Sequence, residues 1–383
     1  MYDSLVKFVR DQYGTQEFIP LHAPVFAGNE QQYVSDTIAS TFVSSVGAFV
    51  DRFEHDMQVY TGSPRAVATV NGTAALHIAL LLAGVKTGEL VITQSLTFVA
   101  TCNAIAYCGA EPVFVDVDRE TLGLSPAALE QWLDAQAVIG EDGLCRLRED
   151  GRVLRACLPM HTFGHPVALN ELMAVCKRWN LALVEDAAES LGSTYEGRHT
   201  GTFGLVGTLS FNGNKVITTG GGGMLLTSES LGAKAKHLTT TAKQPHAYEY
   251  VHDEVGYNYR LPNLNAALGC AQLEQLDGFL AAKRRLAMCY KEALQGSDLE
   301  FVTEPQGCRS NYWLNAVICE DRAQRDALLK ATNERGVMTR PIWALMNRLP
   351  AYQHCVKGDL STAQWLEARV VNLPSSVPPQ GGK

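Results

Sequence analysis

A single lysine stands beside a run of glycines in the stretch SFNGNKVITTGGGGM, residues 210–224. A lysine flanked by small residues can lose part of its hydration, and its amine can then attack a carbonyl carbon. Lys215 is therefore a candidate nucleophile, and Ser210 is a candidate hydroxyl donor to a phosphate. The alternative is a surface lysine in a glycine-rich turn. A nucleotide loop is not predicted, because Lys215 precedes the glycines and no G-x-G-x-x-G or G-x-x-x-x-G-K-[ST] pattern opens a helix here.

A second candidate lies at the end of the apolar run LALVED, residues 181–186. A carboxylate in such a run is removed from water, so it needs a cationic or hydrogen-bond donor partner to offset its desolvation. A protonated ring nitrogen of a cofactor would supply that partner to Asp186. The alternative is that Asp186 caps the helix that follows.

A third candidate is the run NGTAAL, residues 71–76, which we expect to begin a helix. Gly72 would let the backbone come close to a bound group. The free N–H groups at Thr73 and Ala74, together with the helix dipole, favour an anion such as phosphate. The alternative is that Thr73 only caps the helix.

The order of the three clusters is more specific than any one of them. A phosphate-type helix start is followed by a strand-end aspartate and, about 30 residues later, by a serine and a lysine, as pyridoxal phosphate requires. This cofactor needs a cup for its phosphate, a partner for its ring nitrogen and a lysine for its aldehyde. The sequence therefore predicts a pyridoxal phosphate site.

The elements that must position these residues alternate between short β-branched runs and helical patterns from about residue 64 onward. The predicted strands are RAVATV, ELVIT, EPVFVDV, RACLPM and LALVED, followed by GTLSFN and GGMLLTS. Such alternation predicts an α/β fold with a mostly parallel sheet covered by helices on both faces. Ligands gather at the carboxyl ends of the strands in such a sheet, where all three clusters fall.

After Asn263 the pattern changes to a long helical stretch, about residues 263–294, a strand-like run, a charged helix and the run VMTRPIW. We expect two domains: residues 1–260 with an N-terminal arm and a large cofactor-binding α/β domain, and residues 261–383 as a smaller α+β domain. The N-terminal segment is expected to pack beside the second domain.

Composition excludes several classes of function. The net charge of −8, without a long basic run, argues against nucleic acid as a partner. The uncharged stretches 66–85 and 90–110 are interrupted by polar residues, so no membrane span is predicted, and the charged N-terminus does not resemble a secretion signal. Ten cysteines without paired C-x-x-C spacing indicate reduced thiols and no metal site in a cytoplasmic protein.

The chain resembles the nucleotide-sugar aminotransferases of the DegT type, a fold-type I pyridoxal phosphate family. The motifs that carry the resemblance are NGTAAL, FVDVD, VEDAAESLGSTYEGRHTGTFG, SFNGNK with GGGGM, and GYNYRLPNLNAA. The resemblance implies a seven-stranded sheet, a homodimer with shared active sites, and transfer of an amino group from L-glutamate for surface glycan synthesis, as in lipopolysaccharide. The form SFNGNKVITTGGGGM is most similar to the branch that aminates UDP-linked 4-keto-6-deoxy sugars, on the routes to bacillosamine and legionaminic acid.

The resemblance also implies roles for individual residues. Lys215 would bind the cofactor covalently and Asp186 would pair with its ring nitrogen, while the phosphate would be held by Gly72, Thr73, Ala74 and Ser210. Phe98 would lie against the ring, and Asn258 would reach the phosphate from the neighbouring subunit. The alternative for Phe98 is a buried core aromatic, and the alternative for Asn258 is an amide that caps a loop.

Three further residues are weaker candidates for contact with the substrate. His161 follows a strand, where a structural histidine is the alternative. Arg340 and Trp343 lie where the family closes its substrate pocket, although a surface ion pair and a core aromatic would explain them equally well.

Glu189 departs from the pattern of many relatives, which carry glutamine or histidine three residues after the aspartate. Those side chains donate a hydrogen bond to the cofactor's phenolic oxygen, whereas a carboxylate cannot donate unless it is protonated. The sequence therefore predicts either a raised pKa for Glu189 or a different partner.

Other functions remain as alternatives. An aminotransferase acting on 3-keto sugars would use the same chemistry. A sugar dehydratase of the same fold would replace Lys215 with histidine, and a nicotinamide enzyme would carry a glycine fingerprint where NGTAAL stands. A non-catalytic binding or regulatory protein would keep the fold without binding the cofactor covalently.

Overall fold

The computed structural model describes residues 2–379. Its helices are α1 (Tyr2–Tyr13), α2 (Glu30–Ala39), α3 (Ala48–Thr61), α4 (Gly72–Leu82), α5 (Val99–Tyr107), α6 (Pro126–Gln136), α7 (Leu169–Arg178), α8 (Glu229–Thr239), α9 (Asn263–Leu273), α10 (Leu276–Ala293), α11 (Arg322–Asn333) and α12 (Ser361–Glu367). Its strands are β1 (Arg65–Thr69), β2 (Leu90–Gln94), β3 (Glu111–Val115), β4 (Ala137–Ile139), β5 (Cys145–Leu147), β6 (Leu154–Leu158), β7 (Ala182–Asp186), β8 (Thr194–Tyr195), β9 (Arg198–His199), β10 (Val206–Ser210), β11 (Gly223–Thr227), β12 (Glu300–Phe301), β13 (Cys308–Arg309), β14 (Asn315–Ile318), β15 (Arg340–Pro341) and β16 (Val370–Leu373).

A seven-stranded sheet forms the centre of the molecule, in the order β1-β11-β10-β7-β6-β2-β3. The five strands from β10 to β3 run parallel, whereas β11 is antiparallel to both of its neighbours. This arrangement confirms the predicted α/β fold with a mostly parallel seven-stranded sheet. Residues of β2 and β11 are buried throughout, which explains why these strands are continuous apolar runs.

Helices cover both faces of this sheet. On one face, α4 and α8 pack on β1 and β11, and α5 packs on α4 and β3, through a cluster that includes Val67, Ile78 and Leu225. On the other face, α3 packs on β1 and α9 packs on α3, and both helices share with β10 a cluster that includes Phe53 and Leu209. The apolar side chains of each central strand are thereby removed from water on both sides, as a parallel sheet requires.

The C-terminal part of the chain builds a second, antiparallel sheet in the order β12-β14-β16-β15. Helices α1, α10 and α11 pack on it through a cluster containing Leu5, Tyr290 and Leu328, so the N-terminal segment lies beside this unit as predicted. The expected long helix is two helices, α9 and α10, and α9 packs against α2 and α3. The domain boundary after residue 260 stays a prediction.

Two expectations from composition, on membrane spans and on cysteines, can be compared with the structure. Within residues 2–379, no helix combines the length and the apolar character needed to cross a membrane. All ten cysteines are free thiols, and eight of them are buried.

One buried amide fixes the loops that follow three strands of the central sheet. Gln94 is fully buried at the end of β2, and its Nε2 donates to the carbonyl of Leu96 and the hydroxyl of Thr162. Its Oε1 accepts from the backbone N–H groups of Leu124 and Met160, at 3.0 and 3.1 Å. The side chain therefore ties the loops after β2, β3 and β6 together.

Replacing Gln94 with leucine should destabilise the protein, because the N–H groups of Leu124 and Met160 would lose their acceptor while still buried. At about 1–3 kcal/mol for each unpaired group, we expect a loss of about 2–6 kcal/mol in the free energy of unfolding, measured by denaturant titration. The exposed Gln353 offers a matched control, for which Gln353→Leu should change stability by less than about 0.5 kcal/mol. Equal stability of the two variants would contradict this role.

Candidate active site

A cavity of about 250 Å³ lies where the loops after β7 and β10 meet the N-terminus of α4. Eight of the predicted residues line it: Gly72, Thr73, Phe98, Asp186, Glu189, Ser210, Lys215 and Trp343. The three clusters, which lie between residues 71 and 215 of the sequence, therefore share one cavity. The other lining residues are Asn71, Leu76, Ala100, Met160, Ala188, Asn212, Asn214, Gly222 and Trp313.

One end of the cavity is the N-terminus of α4. The helix is capped by Asn71, whose Oδ1 accepts a hydrogen bond from the N–H of Ala74 at 2.7 Å. The alternative that Thr73 caps the helix is therefore wrong. The predicted contact of Ala74 with phosphate is not supported either, because its N–H is already paired and the residue does not line the cavity.

Close backbone approach at this end requires glycine at two positions. A Cβ added at Gly72 would lie 2.9 Å from the Cβ of Ser210, and one added at Gly223 would lie 2.4 Å from the carbonyl oxygen of Asn71. The start of α4 therefore lies directly against the ends of β10 and β11. The result is a small cup, lined by Thr73 and Ser210, at a helix N-terminus that favours an anion.

Asp186 ends β7 and is only 2% exposed. Its Oδ2 accepts from the hydroxyl of Thr101 at 2.8 Å, and its Oδ1 accepts from the N–H of Ala188 at 3.2 Å. The residues that follow form turns and no helix, so the cap interpretation is wrong. Burial raises the pKa of Asp186 above its usual value, and a cation in the cavity would oppose that shift.

Lys215 projects into the cavity from the loop between β10 and β11, and its side chain is 12% exposed. Its Nζ lies 3.4 Å from Oε1 of Glu189 and 3.9 Å from the ring centroid of Trp313. A surface lysine in a turn would have neither contact. The structure therefore rules out that alternative.

Glu189 is buried, and its carboxyl accepts from the backbone N–H of Phe163 at 2.9 Å. Phe163 holds a left-handed conformation, with φ of 56°, which is uncommon for a residue with a side chain and fixes the direction of this N–H. Burial raises the pKa of Glu189 to about 7, while the nearby charge of Lys215 acts in the opposite direction. Glu189 therefore has both of the predicted features, a raised pKa and a different partner, the N–H of Phe163.

Aromatic side chains form one wall of the cavity. Phe98 is 48% exposed, so the alternative of a buried core aromatic is wrong. The ring of Trp343 lies 6.5 Å from that of Phe98 and 5.1 Å from that of Phe163, between centroids. Trp343 is half-buried in this wall and is accessible to a molecule in the cavity.

In addition to Ala74, three predicted residues lie outside the cavity. His161 is fully buried, with its Nε2 3.1 Å from Glu185 and its Nδ1 accepting from the N–H of Val167, so its role here is structural and the predicted contact with the substrate is not supported. Arg340 is exposed on the edge strand β15. Asn258 is exposed, and its Oδ1 accepts from the guanidinium of Arg260.

Sequence reasoning missed two residues that contact the charged groups. Thr101 lies in the first turn of α5, three residues after Phe98, which precedes the helix, and this spacing would have indicated that both side chains lie near the cavity. Trp313 lies in the run NYWLNAVIC, which reads as an ordinary strand, and no local pattern relates it to Lys215.

The arrangement fits pyridoxal phosphate. The cavity offers an anion cup at a helix N-terminus, an aromatic side chain at its edge, a buried carboxyl whose hydrogen bonds come from neutral donors, and a lysine amine. Because the hydrogen-bond donors to Asp186 are neutral, a pyridinium nitrogen would supply the cation that this carboxyl lacks. Lys215 would bind the aldehyde of the cofactor.

Comparison with known proteins agrees with this geometry. Residues 25–379 match the model of the DegT/DnrJ/EryC1/StrS aminotransferase family. The chain is 35% identical to a GDP-perosamine synthase of Escherichia coli O157:H7, covering 94% of this chain and 93% of the relative. It is 37% identical to EpsN of Bacillus subtilis (strain 168), a putative pyridoxal phosphate-dependent aminotransferase, covering 87% and 84% of the two chains.

A solved structure shows the same fold. The crystal structure of a DegT DnrJ EryC1 StrS aminotransferase from Brucella abortus superimposes with a TM-score of 0.82 at 29% identity, covering 91% of this chain and 90% of the other. The site, the sequence match over most of the chain and the shared fold point to the same enzyme class. The chain therefore belongs to the DegT/DnrJ/EryC1/StrS aminotransferase family and is a pyridoxal phosphate-dependent aminotransferase.

Proposed function

We propose that this enzyme transfers an amino group from L-glutamate to a GDP-linked 4-keto-6-deoxy sugar during the synthesis of a surface glycan. Amino transfer is inferred from the cavity that Lys215, Asp186 and the anion cup at the helix N-terminus share. The sugar class comes from the family resemblance. The motif SFNGNKVITTGGGGM favoured UDP, whereas the Escherichia coli relative named GDP-perosamine synthase favours GDP, so we choose GDP.

The residues at the two ends of the cavity would hold and orient the cofactor. Thr73 and Ser210 would donate to its phosphate, and the absence of a side chain at Gly72 leaves room for it beside β10. Asp186 would keep the ring nitrogen protonated. Its own position is fixed by Thr101 and by the N–H of Ala188, so the carboxyl needs no rearrangement to do so.

Proton transfer is the part of the reaction that this chain's residues perform. When bound, pyridoxal phosphate accepts the electron pair that remains when the carbon bearing the transferred nitrogen loses its proton. Lys215 is the base in the cavity that can take up that proton and return one, first for the amino donor and then for the keto sugar.

A second copy of the chain is part of this proposal. Large apolar side chains are exposed in two segments, with Phe42 60% and Val46 72% exposed in one, and Tyr248 83%, Tyr250 81% and Val255 80% exposed in the other. Such patches are unusual on a monomer and typical of a surface that a partner covers. Since Asn258 directly follows the second segment and lies outside its own cavity, we infer that it reaches the cofactor phosphate of the partner.

A substrate screen tests the proposed function. We expect the enzyme with L-glutamate to release 2-oxoglutarate, detected by mass spectrometry, when it is given a GDP-linked 4-keto-6-deoxy sugar. The UDP- and dTDP-linked sugars should react at least about tenfold more slowly in kcat/KM, corresponding to about 1.4 kcal/mol of discrimination. Faster reaction with the UDP sugar would reverse the nucleotide assignment. Reaction with 3-keto sugars alone would reject the substrate class while leaving the chemistry intact.

The pH dependence should identify the proton on Glu189. The carboxyl is protonated below its pKa of about 7 and can then donate to the cofactor's phenolic oxygen, whereas above that pH it is charged and cannot. We expect kcat to fall by about tenfold as pH rises through 7, and Glu189→Gln, which donates at every pH, to remove this limb of the profile. The exposed Glu292→Gln should keep the wild-type profile. A limb that persists in Glu189→Gln would assign the proton to another group.

Mixing two inactive variants tests the shared active site. A hybrid of Lys215→Ala and Asn258→Ala subunits has one cavity with both changes and one with neither, provided that Asn258 acts across the interface. Co-refolded mixtures should then regain up to about a quarter of wild-type activity, because about half of the dimers are hybrids with one intact site each. If Asn258 served its own cavity, no mixture would exceed the activity of Asn258→Ala alone. Light scattering should give twice the chain mass of 41.7 kDa.

A further inference from the structure

The side chain of Trp313 forms the surface against which the catalytic lysine lies. The residue is 4% exposed and lines the cavity, and the Nζ of Lys215 lies over the face of its ring at 3.9 Å from the centroid. The face of an indole ring is its electron-rich part and attracts an ammonium group. Family motifs gave this tryptophan no role.

Three hydrogen bonds fix the tryptophan in this position. Its ring N–H donates to the carbonyl of Asn214 at 2.7 Å, which ties the ring to the residue before the lysine. Its backbone N–H donates to Oδ1 of Asn311 at 2.7 Å, and its carbonyl accepts from the buried Nζ of Lys283 at 3.1 Å. The ring and the lysine loop are thus held together as one unit.

The same segment also holds the backbone of Glu189, whose carboxyl is the second group near the amine. Nδ2 of Asn311 donates to the carbonyl of Glu189 at 2.8 Å, while Oε1 of Glu189 lies 3.4 Å from the Nζ of Lys215. Lys215 and Asp186 are the charged groups that face this carboxyl. Because the carboxyl changes its charge near neutral pH and the indole does not, the ring face attracts the ammonium group in both protonation states of Glu189.

We propose that Trp313 is a positioning residue for amino transfer: its ring face and the Glu189 carboxyl together hold the amine of Lys215 whenever that amine is not bonded to the cofactor. The proposal rests on the proposed function, in which the lysine is released and must act as a base from a defined place. A lysine without this resting place would sample the cavity, and the proton transfer would slow while the sugar still bound.

Chemical labelling of the lysine tests the contact without any turnover. The full-length enzyme is loaded with pyridoxamine 5′-phosphate, which leaves Lys215 unbonded, and the rate of acetylation of Lys215 by acetic anhydride is followed by peptide mass spectrometry. We expect acetylation about fivefold faster in Trp313→Leu, because the ring no longer stabilises the ammonium form, and within about twofold of wild type in Trp313→Phe, which keeps an aromatic face. Equal rates in wild type and both variants would overturn the proposal.

Fluorinated tryptophan separates electrostatic attraction of the Lys215 ammonium group by the ring from simple steric shielding of the amine. This experiment does not require Trp313→Leu to fold. Fluorine withdraws electron density from the ring face with little change of shape, so wild-type enzyme grown with fluorotryptophan should be acetylated at Lys215 about twofold faster. The same labelling of Trp313→Phe retains the other four tryptophans and should leave the rate unchanged. An unchanged rate in labelled wild type, or an equal increase in both proteins, would overturn the proposal.

Kinetics provide the remaining readout. In Trp313→Leu we expect kcat to fall about tenfold with KM for the keto sugar within about threefold of wild type, and Trp313→Phe to recover most of kcat. A rise in KM with unchanged kcat would instead indicate a contact with the sugar and would contradict the proposal. Failure of the sugar assignment would leave the acetylation rates unaffected, so the two conclusions fail independently.

Discussion

The site depends on a carboxyl group that the fold buries with no cation among its hydrogen-bond donors. Asp186 ends a strand buried on both faces, and the hydrogen bonds it accepts come from a hydroxyl and a backbone amide. Such a group destabilises its surroundings unless a positive charge approaches it, and the raised pKa of Asp186 is the sign of that unmet need. The cofactor's ring nitrogen is the charge that this environment is built to receive.

Backbone geometry controls how the other groups reach that carboxyl. The antiparallel turn from β10 to β11 brings Lys215 over the carboxyl ends of the parallel strands, and Gly223 lets the returning strand lie against the first residues of α4. Among the glycines after the lysine, Gly223 is therefore required by close packing at the phosphate end of the cavity. A side chain at Gly72 or Gly223 would push the anion cup away from the lysine.

Much of this arrangement could be predicted from the sequence because it is encoded locally. Apolar runs ending in polar residues indicated strands whose carboxyl ends would converge, and Gly72, Asp186 and Lys215 all lie where that rule places them. The alternative that Thr73 caps α4 is wrong and Asn71 is the cap, since both residue types cap helices and only the backbone shows which of them precedes the first turn. The role of Trp313 could not be predicted, because about a hundred residues separate it from the lysine it contacts and only the C-terminal unit brings them together.

His161 illustrates a different limit. Its position after a strand resembles that of a ligand-binding residue, yet both ring nitrogens are paired inside the protein, and a buried partner such as Glu185 has no local signature. Glu189 shows the opposite case. Its chemistry could be anticipated from the residue type alone, since a carboxyl among apolar residues must either find a charge or keep its proton.

The covalent attachment of the cofactor to Lys215 is the central claim, and reduction of the purified holoenzyme with borohydride tests it most directly. The reduced adduct should block trypsin at Lys215, so the cofactor mass should appear on a single peptide spanning residues 199–234, with fragment ions placing it at position 215. Cofactor mass on any other lysine, or complete cleavage after Lys215 with no adduct, would contradict the account.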